Sequence, residues 1–305
     1  MKEVRTNQSH ALSESDLDAL RRNGILKKDG FFSADVIRQI ADTTIRLRET
    51  AQLHEKPSRK WLLTSPFHAL IRSLRHQTRN DLKYLSDVAL QCGFRRFSSL
   101  YFGEPVRLSH IMSIESPVSD EPITCWHTDA NTVPPKLPLP PNRFTLKCFV
   151  YLNDIDSNNG AFAYLPKSHR LVVAIRECIY NRTLPFHETS EVEEIRAACS
   201  SPQVLSVVLK MISQQDIDDF LSTTEALISE TEATHEHDLT GRAGTLLIFD
   251  DRGLHRGGIP KSSNRSILRY NYLPTQYWNE TLSPMRYWLY MGSLTLLPRS
   301  VAAHW

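Results

Sequence analysis

A chain of 305 residues, 41% hydrophobic and 23% charged, holds enough apolar material for one large core or two small ones, which excludes wholesale disorder. Thirty-six lysines and arginines against 34 aspartates and glutamates leave a formal charge of +2, so no basic surplus points to nucleic acid or an anionic membrane. The five cysteines, Cys92, Cys125, Cys148, Cys178 and Cys199, are scattered and form no Cys-x-x-Cys pair, which argues against a disulfide framework and a thiolate zinc site.

Residues 1–10 are polar and lack the apolar run of a secretory leader. No stretch approaches the roughly 18 uninterrupted apolar residues of a membrane helix. The expectation is a cytoplasmic protein with no membrane partner. Ser13 and Asp16 read as an N-cap and acidic first turn ahead of Leu17 and Leu20. Gly24 and the turn at 28–30 break that helix. Residues 35–47 carry Val36, Ile37, Ile40, Thr44 and Leu47 at helical spacing, and residues 66–92 repeat the pattern with Leu70, Leu74, Leu82, Leu85 and Leu90. Residues 1–93 are thus expected to be mostly helical.

After Gly93 the texture becomes β-rich. Short runs at 98–102, 106–115, 144–152, 161–165, 245–250 and 266–273 are separated by turn residues such as Asn158, Asn159 and Gly160. Strands of this length predict a sandwich or jelly roll. By alternation His110 and Met112 share one face of their strand, bordering the site if that face points inward. Leu146, Cys148 and Val150 are expected to form an inner face. Residues 130–143 contain Pro134, Pro135, Pro138, Pro140 and Pro141, and predict an extended loop. Residues 171–240 read as largely helical, clearest at 204–211 and 216–228. Both segments are expected to act as lids on a single domain spanning 1–305.

The sharpest local signal is Trp126-His127-Thr128-Asp129. Positions i and i+2 of a strand point the same way, so His127 and Asp129 present an imidazole and a carboxylate to one ion. His255, beyond the apolar run 245–249 and a turn at Gly253, is the candidate third ligand. Two histidines and a carboxylate make the facial triad of non-haem iron(II) oxygenases, with open positions for an oxoacid and dioxygen. Arg265 lies ten residues beyond His255, and its guanidinium fork suits the far carboxylate of 2-oxoglutarate. His235 and His237 form a His-x-His pair, read as a solvated loop. Asp250 and Asp251 are candidates to buttress His255, or else belong to a surface turn.

With these residues assembled, the chain resembles the phytanoyl-CoA dioxygenase family of iron/2-oxoglutarate oxygenases. The resemblance runs through residues 18–26 and 31–40, the 126–129 motif, 149–154, Asn158 to Gly160, Leu165 to His169, and the block from Gly241 through His255 to Arg265. It implies a mainly β fold with flanking helices, built on a double-stranded β-helix (a cupin-like jelly roll). It also implies iron(II), 2-oxoglutarate and dioxygen as cofactor and cosubstrates, a small-molecule substrate oxidised at a C–H, and succinate and carbon dioxide as products. His110 and Met112 would then border the cosubstrate, and His169 would support the fold. Lys167 replaces the usual glycine of its box, which should alter a turn. Val150 sits where many members carry a tryptophan beside the cosubstrate, implying a wider pocket. Related halogenases carry a small residue in place of the aspartate, so Asp129 points to hydroxylation or a related oxidation. The competing readings are a cupin-like metal-dependent hydrolase or isomerase using the same three ligands, and a non-catalytic binding protein.

Overall fold

The computed structural model describes residues 11–52, 60–62, 76–129, 132–133, 137–138, 144–181, 183–184, 191–229 and 235–275. The aromatic-rich segment beyond 275, the first ten residues of the helix expected at 66–92, and most of the proline-rich 130–143 lie outside them.

Ser13 starts α1 (Glu14–Asn23) as its chemistry dictates. Its side chain accepts the Asp16 N–H while the Asp16 carboxylate takes the Ser13 N–H, a reciprocal capping box worth about 1 kcal/mol. Gly24, at φ 74, ends the helix in the left-handed region and feeds β1 (Ile25–Lys28). Next come α2 (Ala34–Gln52), β2 (Lys60–Leu62), α3 (His76–Gln91) and α4 (Phe94–Phe102). The strand expected at 98–102 is therefore a helix. Phe94, Phe97 and Ser98 are buried on one side of it, the i, i+3, i+4 spacing of an amphipathic helix, and this periodicity overrides the aromatic β-propensity of the segment.

The remaining strands are β3 (Val106–Ser116), β4 (Thr124–His127), β5 (Thr132–Val133), β6 (Leu137–Pro138), β7 (Leu146–Tyr151), β8 (Phe162–Tyr164), β9 (Asp238–Leu239), β10 (Leu246–Asp250), β11 (His255–Gly257) and β12 (Arg265–Pro274). They form a six-stranded sheet, β1-β10-β7-β12-β3-β2, and a four-stranded sheet, β4-β11-β8-β9, with every pairing antiparallel. Two antiparallel sheets flanked by helices bear out the expected jelly roll. Within the proline-rich segment β5 and β6 pair with each other, Thr132 with Pro138, so the segment expected to be all loop contains a two-residue ladder.

Three apolar clusters define the layers. Leu20, Ile40, Leu85 and Phe94 pack against Leu146, Cys148, Val150, Ile248 and Tyr270 on the outer face of the large sheet. Ile114, Phe149, Tyr151, Phe249 and Ile267 meet Phe162 and Tyr164 between the sheets. On the far side, α5 (Ser168–Tyr180), α6 (Val192–Cys199), α7 (Pro202–Val208) and α8 (Gln214–Ser229) bury Ile175, Ile195, Val204 and Ile217 against Trp126, Ala163, Leu165 and Leu254.

This layering corrects one expectation. Leu146, Cys148 and Val150 face the N-terminal helices, and the residues of β7 that face the space between the sheets are Lys147, Phe149 and Tyr151. Ladder partners share a face: Lys147 opposes Asn271, Phe149 opposes Arg269, and Tyr151 opposes Ile267. Val150 thus does not widen any pocket, and Phe149 occupies the cleft wall instead.

Lys167 has φ 67 at the start of α5, the one non-glycine in the left-handed region among the described residues. The turn of the family's glycine is kept rather than altered. Lys167 also pairs with Asp216 at 3.3 Å, tying α8 to this corner.

Candidate functional site

The smaller sheet sets the site by register. His255 pairs with His127 on one side and with Tyr164 on the other, so all three side chains project from one face toward the space between the sheets. His255 opens β11 itself, a strand of its own rather than the end of β10. Asp129 follows β4 by two residues, and its N–H donates to the Asp251 carbonyl at 3.1 Å, which turns the chain so that its carboxylate meets both imidazoles.

Each imidazole is held by its own neighbouring backbone. His127 Nδ1 donates to the Cys125 carbonyl at 2.7 Å and His255 Nδ1 donates to the Gly253 carbonyl at 2.8 Å. A carbonyl only accepts, so both rings carry the proton on Nδ1 and leave the Nε2 lone pair free. Both Nε2 atoms aim at Asp129, at 3.4 Å from His127 and 3.2 Å from His255. The ring centroids are 4.5 Å apart. The three ligand atoms lie within 4.8 Å of one another, the one such grouping of metal-binding side chains among the described residues. Two neutral imidazoles and a carboxylate on one side of a space is a donor set that suits iron(II).

Charge is concentrated here. Lys147 is buried and makes a short ion pair with Asp129, with Asp251 3.8 Å away on its other side. Burial pushes the Asp129 carboxyl up, but the charge of Lys147 beside it outweighs burial and holds the group well below the usual carboxylate range. Asp251 is pushed up to about 6 by burial, against the pull of Lys147, and its carboxylate accepts the Thr145 N–H. Asp250 is engaged elsewhere, with Arg252 and the Tyr101 hydroxyl. Both acids are buried rather than part of a surface turn, and neither receives the His255 N–H.

A cleft partly open to solvent is lined by His127, Asp129 and His255 together with Phe149, Phe162, Ile114, Ile267, Arg265 and Arg269. Arg265 is only 4% exposed. Its Nη1 donates to the Gly160 carbonyl at 2.8 Å, at the Asn159-Gly160 turn where φ is 82. Among the described residues it forms no ion pair, and its Nε has no hydrogen-bond partner. Burial lowers its pKa to about 10. A buried guanidinium without an acid beside it is a receptor for an anionic ligand, so the chain's own side chains fit both a divalent metal and a dicarboxylate.

His110 and Met112 point toward the same interior as Arg269 and Asn271, their ladder neighbours, but neither is among the residues lining the cleft. Met112 instead lies under the Arg269 guanidinium. His169 donates from Nε2 to the Arg21 carbonyl at 3.2 Å, a fold-supporting contact. His235 pairs with Asp238, and the His237 ring stands nearly perpendicular to that of Trp126. Sequence reasoning missed Lys147, Phe149 and Arg269. The legible signals were a lone lysine in an otherwise apolar strand, and an arginine sharing the strand parity of Arg265.

The family model for phytanoyl-CoA dioxygenase (PhyH) matches residues 20–266. Among solved structures, the chain is similar to the non-haem α-ketoglutarate-dependent carbocyclase SnoK from nogalamycin biosynthesis. They share 13% identity at a TM-score of 0.52, covering 86% of this chain and 84% of that one. It is also similar to EctD from S. alaskensis, solved with 2-oxoglutarate and 5-hydroxyectoine, at 15% identity and a TM-score of 0.51, covering 90% and 80%. At such identities the likeness is one of fold. No curated protein matches the sequence. No helix among the described residues is long and apolar enough to cross a membrane.

Proposed function

The chain belongs to the phytanoyl-CoA dioxygenase family, and on that premise we propose that it hydroxylates an unactivated C–H of a small metabolite, with His127, Asp129 and His255 as its iron ligands and Arg265 as the anchor of the cosubstrate. Enzymes of this family work with iron(II), 2-oxoglutarate and dioxygen. Bound together, these supply the oxidising power for attack on a C–H and release succinate and carbon dioxide.

The protein's contribution is placement. The two Nδ1–H bonds to backbone carbonyls fix the imidazoles in the tautomer that offers Nε2. Lys147 keeps Asp129 ionised. Arg265, enclosed beside the Gly160 carbonyl, pairs with a carboxylate in a dry setting where a charge-assisted hydrogen bond is strong. Phe149, Phe162, Ile114 and Ile267 line the cleft with apolar surface, which suits a small organic substrate. Helices α5 to α8 back the outer face of the smaller sheet and supply none of the residues that line the cleft, so the lid expected of 171–240 is not formed by them.

The observation that carries this reading is the convergence of two backbone-locked imidazoles on one carboxylate, in a cleft shared with an unpaired buried arginine. The test is conversion of 2-oxoglutarate to succinate by purified protein with iron(II) and ascorbate under air. Turnover is expected in the wild type and should vanish in His127→Ala and Asp129→Ala. Equal succinate from the His127→Ala protein would rule the site out. Absence of succinate from every preparation would return the chain to a hydrolase, isomerase or binding role.

A further inference from the structure

Two arginines, not one, project into the cleft. Arg265 and Arg269 lie on the same face of β12, separated by Ile267 and by about 13 Å of strand. Arg265 sits at the Gly160 end. Arg269 sits at the opposite end, over Met112 and within the electrostatic reach of Asp129 and Asp251. The Arg269 Nε is enclosed and has no hydrogen-bond partner, and among the described residues Arg269 forms no ion pair. Its two acidic neighbours are both held by Lys147, Asp129 in a short ion pair and Asp251 at 3.8 Å.

We propose that Arg269 is the anchor for a carboxylate on the substrate to be oxidised, so that the substrate class is a monoanionic small molecule with an apolar or aromatic body. The inference rests on the oxygenase reading, which assigns Arg265 to the cosubstrate. A dicarboxylate with one end at the metal ligands has a single far carboxylate, and one guanidinium satisfies it. The second arginine then faces the substrate space.

The charge balance points the same way. Inward-facing Lys147, Arg265 and Arg269 exceed Asp129 and Asp251 by one positive charge. A divalent metal and a doubly charged cosubstrate cancel each other, and one cation is left for the substrate. Arg256, also on the cleft wall, is neutralised by Asp238 at 3.2 Å. Between the two arginines, Phe149, Ile114 and Ile267 offer no polar partner, so the part of the substrate next to its carboxylate is apolar.

The test uses full-length protein loaded with manganese(II), read by calorimetry. First, 2-oxoglutarate is titrated into wild type, Arg265→Met, Arg269→Gln and Arg269→Lys. Second, at saturating 2-oxoglutarate, 3-phenylpropionate and its neutral amide are titrated as probes. The wild type should bind the acid at least about tenfold more tightly than the amide, the size of one charge-assisted hydrogen bond. Arg269→Gln should lose that preference while still binding 2-oxoglutarate, Arg269→Lys should keep part of it, and Arg265→Met should lose 2-oxoglutarate. Equal binding of acid and amide, binding of neither, or an intact preference in Arg269→Gln overturns the proposal. So does a loss of 2-oxoglutarate in Arg269→Gln as large as in Arg265→Met, because Arg269 would then serve the cosubstrate. If the glutamine variant does not fold, Arg269→Lys decides: an acid preference equal to wild type or absent from both proteins counts against the proposal. Failure of the wild type to bind 2-oxoglutarate sinks the oxygenase reading instead, and the acid-against-amide comparison with manganese(II) alone still judges the anion site.

Discussion

His127 and His255 stand directly opposite each other across the β4–β11 ladder, and each turns its Nε2 toward the Asp129 carboxylate. Since β11 is only three residues long, that register holds the pair through a few ladder bonds and the packing of Leu254 beneath them. A metal that binds this arrangement stabilises the fold that creates it. At a hundred times its dissociation constant, manganese(II) should add about 2.7 kcal/mol to the wild type. The rise in melting temperature on adding manganese(II) should shrink severely in His127→Ala and His255→Ala. A shift of wild-type size in both variants would show that the metal binds elsewhere.

Lys147 gives the metal-free protein a cation in the same place. It is buried between Asp129 and Asp251, and removing one member of a buried charge cluster costs about 3 kcal/mol, less here because Asp129 is a third exposed. Lys147→Met should therefore lower the urea midpoint of metal-free protein. Manganese(II) should recover more stability in the variant than in the wild type, since it supplies the positive charge that the lysine gave. Equal recovery in the two proteins would contradict the compensation.

The grouping of His127, Asp129 and His255, and the place of Arg265 on the same cleft, were legible from spacing: His127 and Asp129 are two apart, and His255 follows an apolar run. The face of β7 was not legible. All six residues from Leu146 to Tyr151 are buried, so hydrophobic alternation, the usual guide to inside and outside, is absent from a strand covered on both sides. The strand's polarity is revealed only by its partners, Leu247 and Phe249 on β10 and Ile267 and Arg269 on β12. The α4 segment failed for another reason. Its aromatic and serine content suits a strand, and only the helical spacing from Phe94 onward, after Gly93, distinguishes the two.

Lys167 holds a left-handed backbone, φ 67, that glycine adopts without penalty. For an L-residue with a side chain the conformation costs about 1–2 kcal/mol, which the exposed pair with Asp216 offsets weakly. Lys167→Gly should be more stable than Lys167→Ala by about 1 kcal/mol, since alanine keeps the strain and loses the pair. Chemical denaturation of both variants gives the difference directly, and an alanine variant as stable as the glycine variant would show that the turn is unstrained.

His110 supplies a pH dependence of known sign. Burial, with Arg269 and Lys147 nearby, lowers its pKa to about 4 in the fold, against about 6.5 in an unfolded chain. Between those values the unfolded state binds the proton and the folded state does not, so stability rises with pH across the window and falls as the solution is acidified. From pH 7 to pH 5 this one group should remove at most about 2 kcal/mol from the wild type, an upper limit because the imidazole is partly reached by solvent. His110→Gln cannot take up the proton and should lose correspondingly less over the same interval. Asp129, lowered in the fold, loses its stabilisation only as pH falls below the ordinary carboxylate range, outside this interval, and Asp251, raised to about 6, pulls the opposite way. The difference between wild type and His110→Gln, measured by urea unfolding of metal-free protein at pH 7 and pH 5, isolates the histidine. Parallel losses in the two proteins would mean that His110 is charged in the fold, and that the interior facing Arg269 and Lys147 tolerates a third cation.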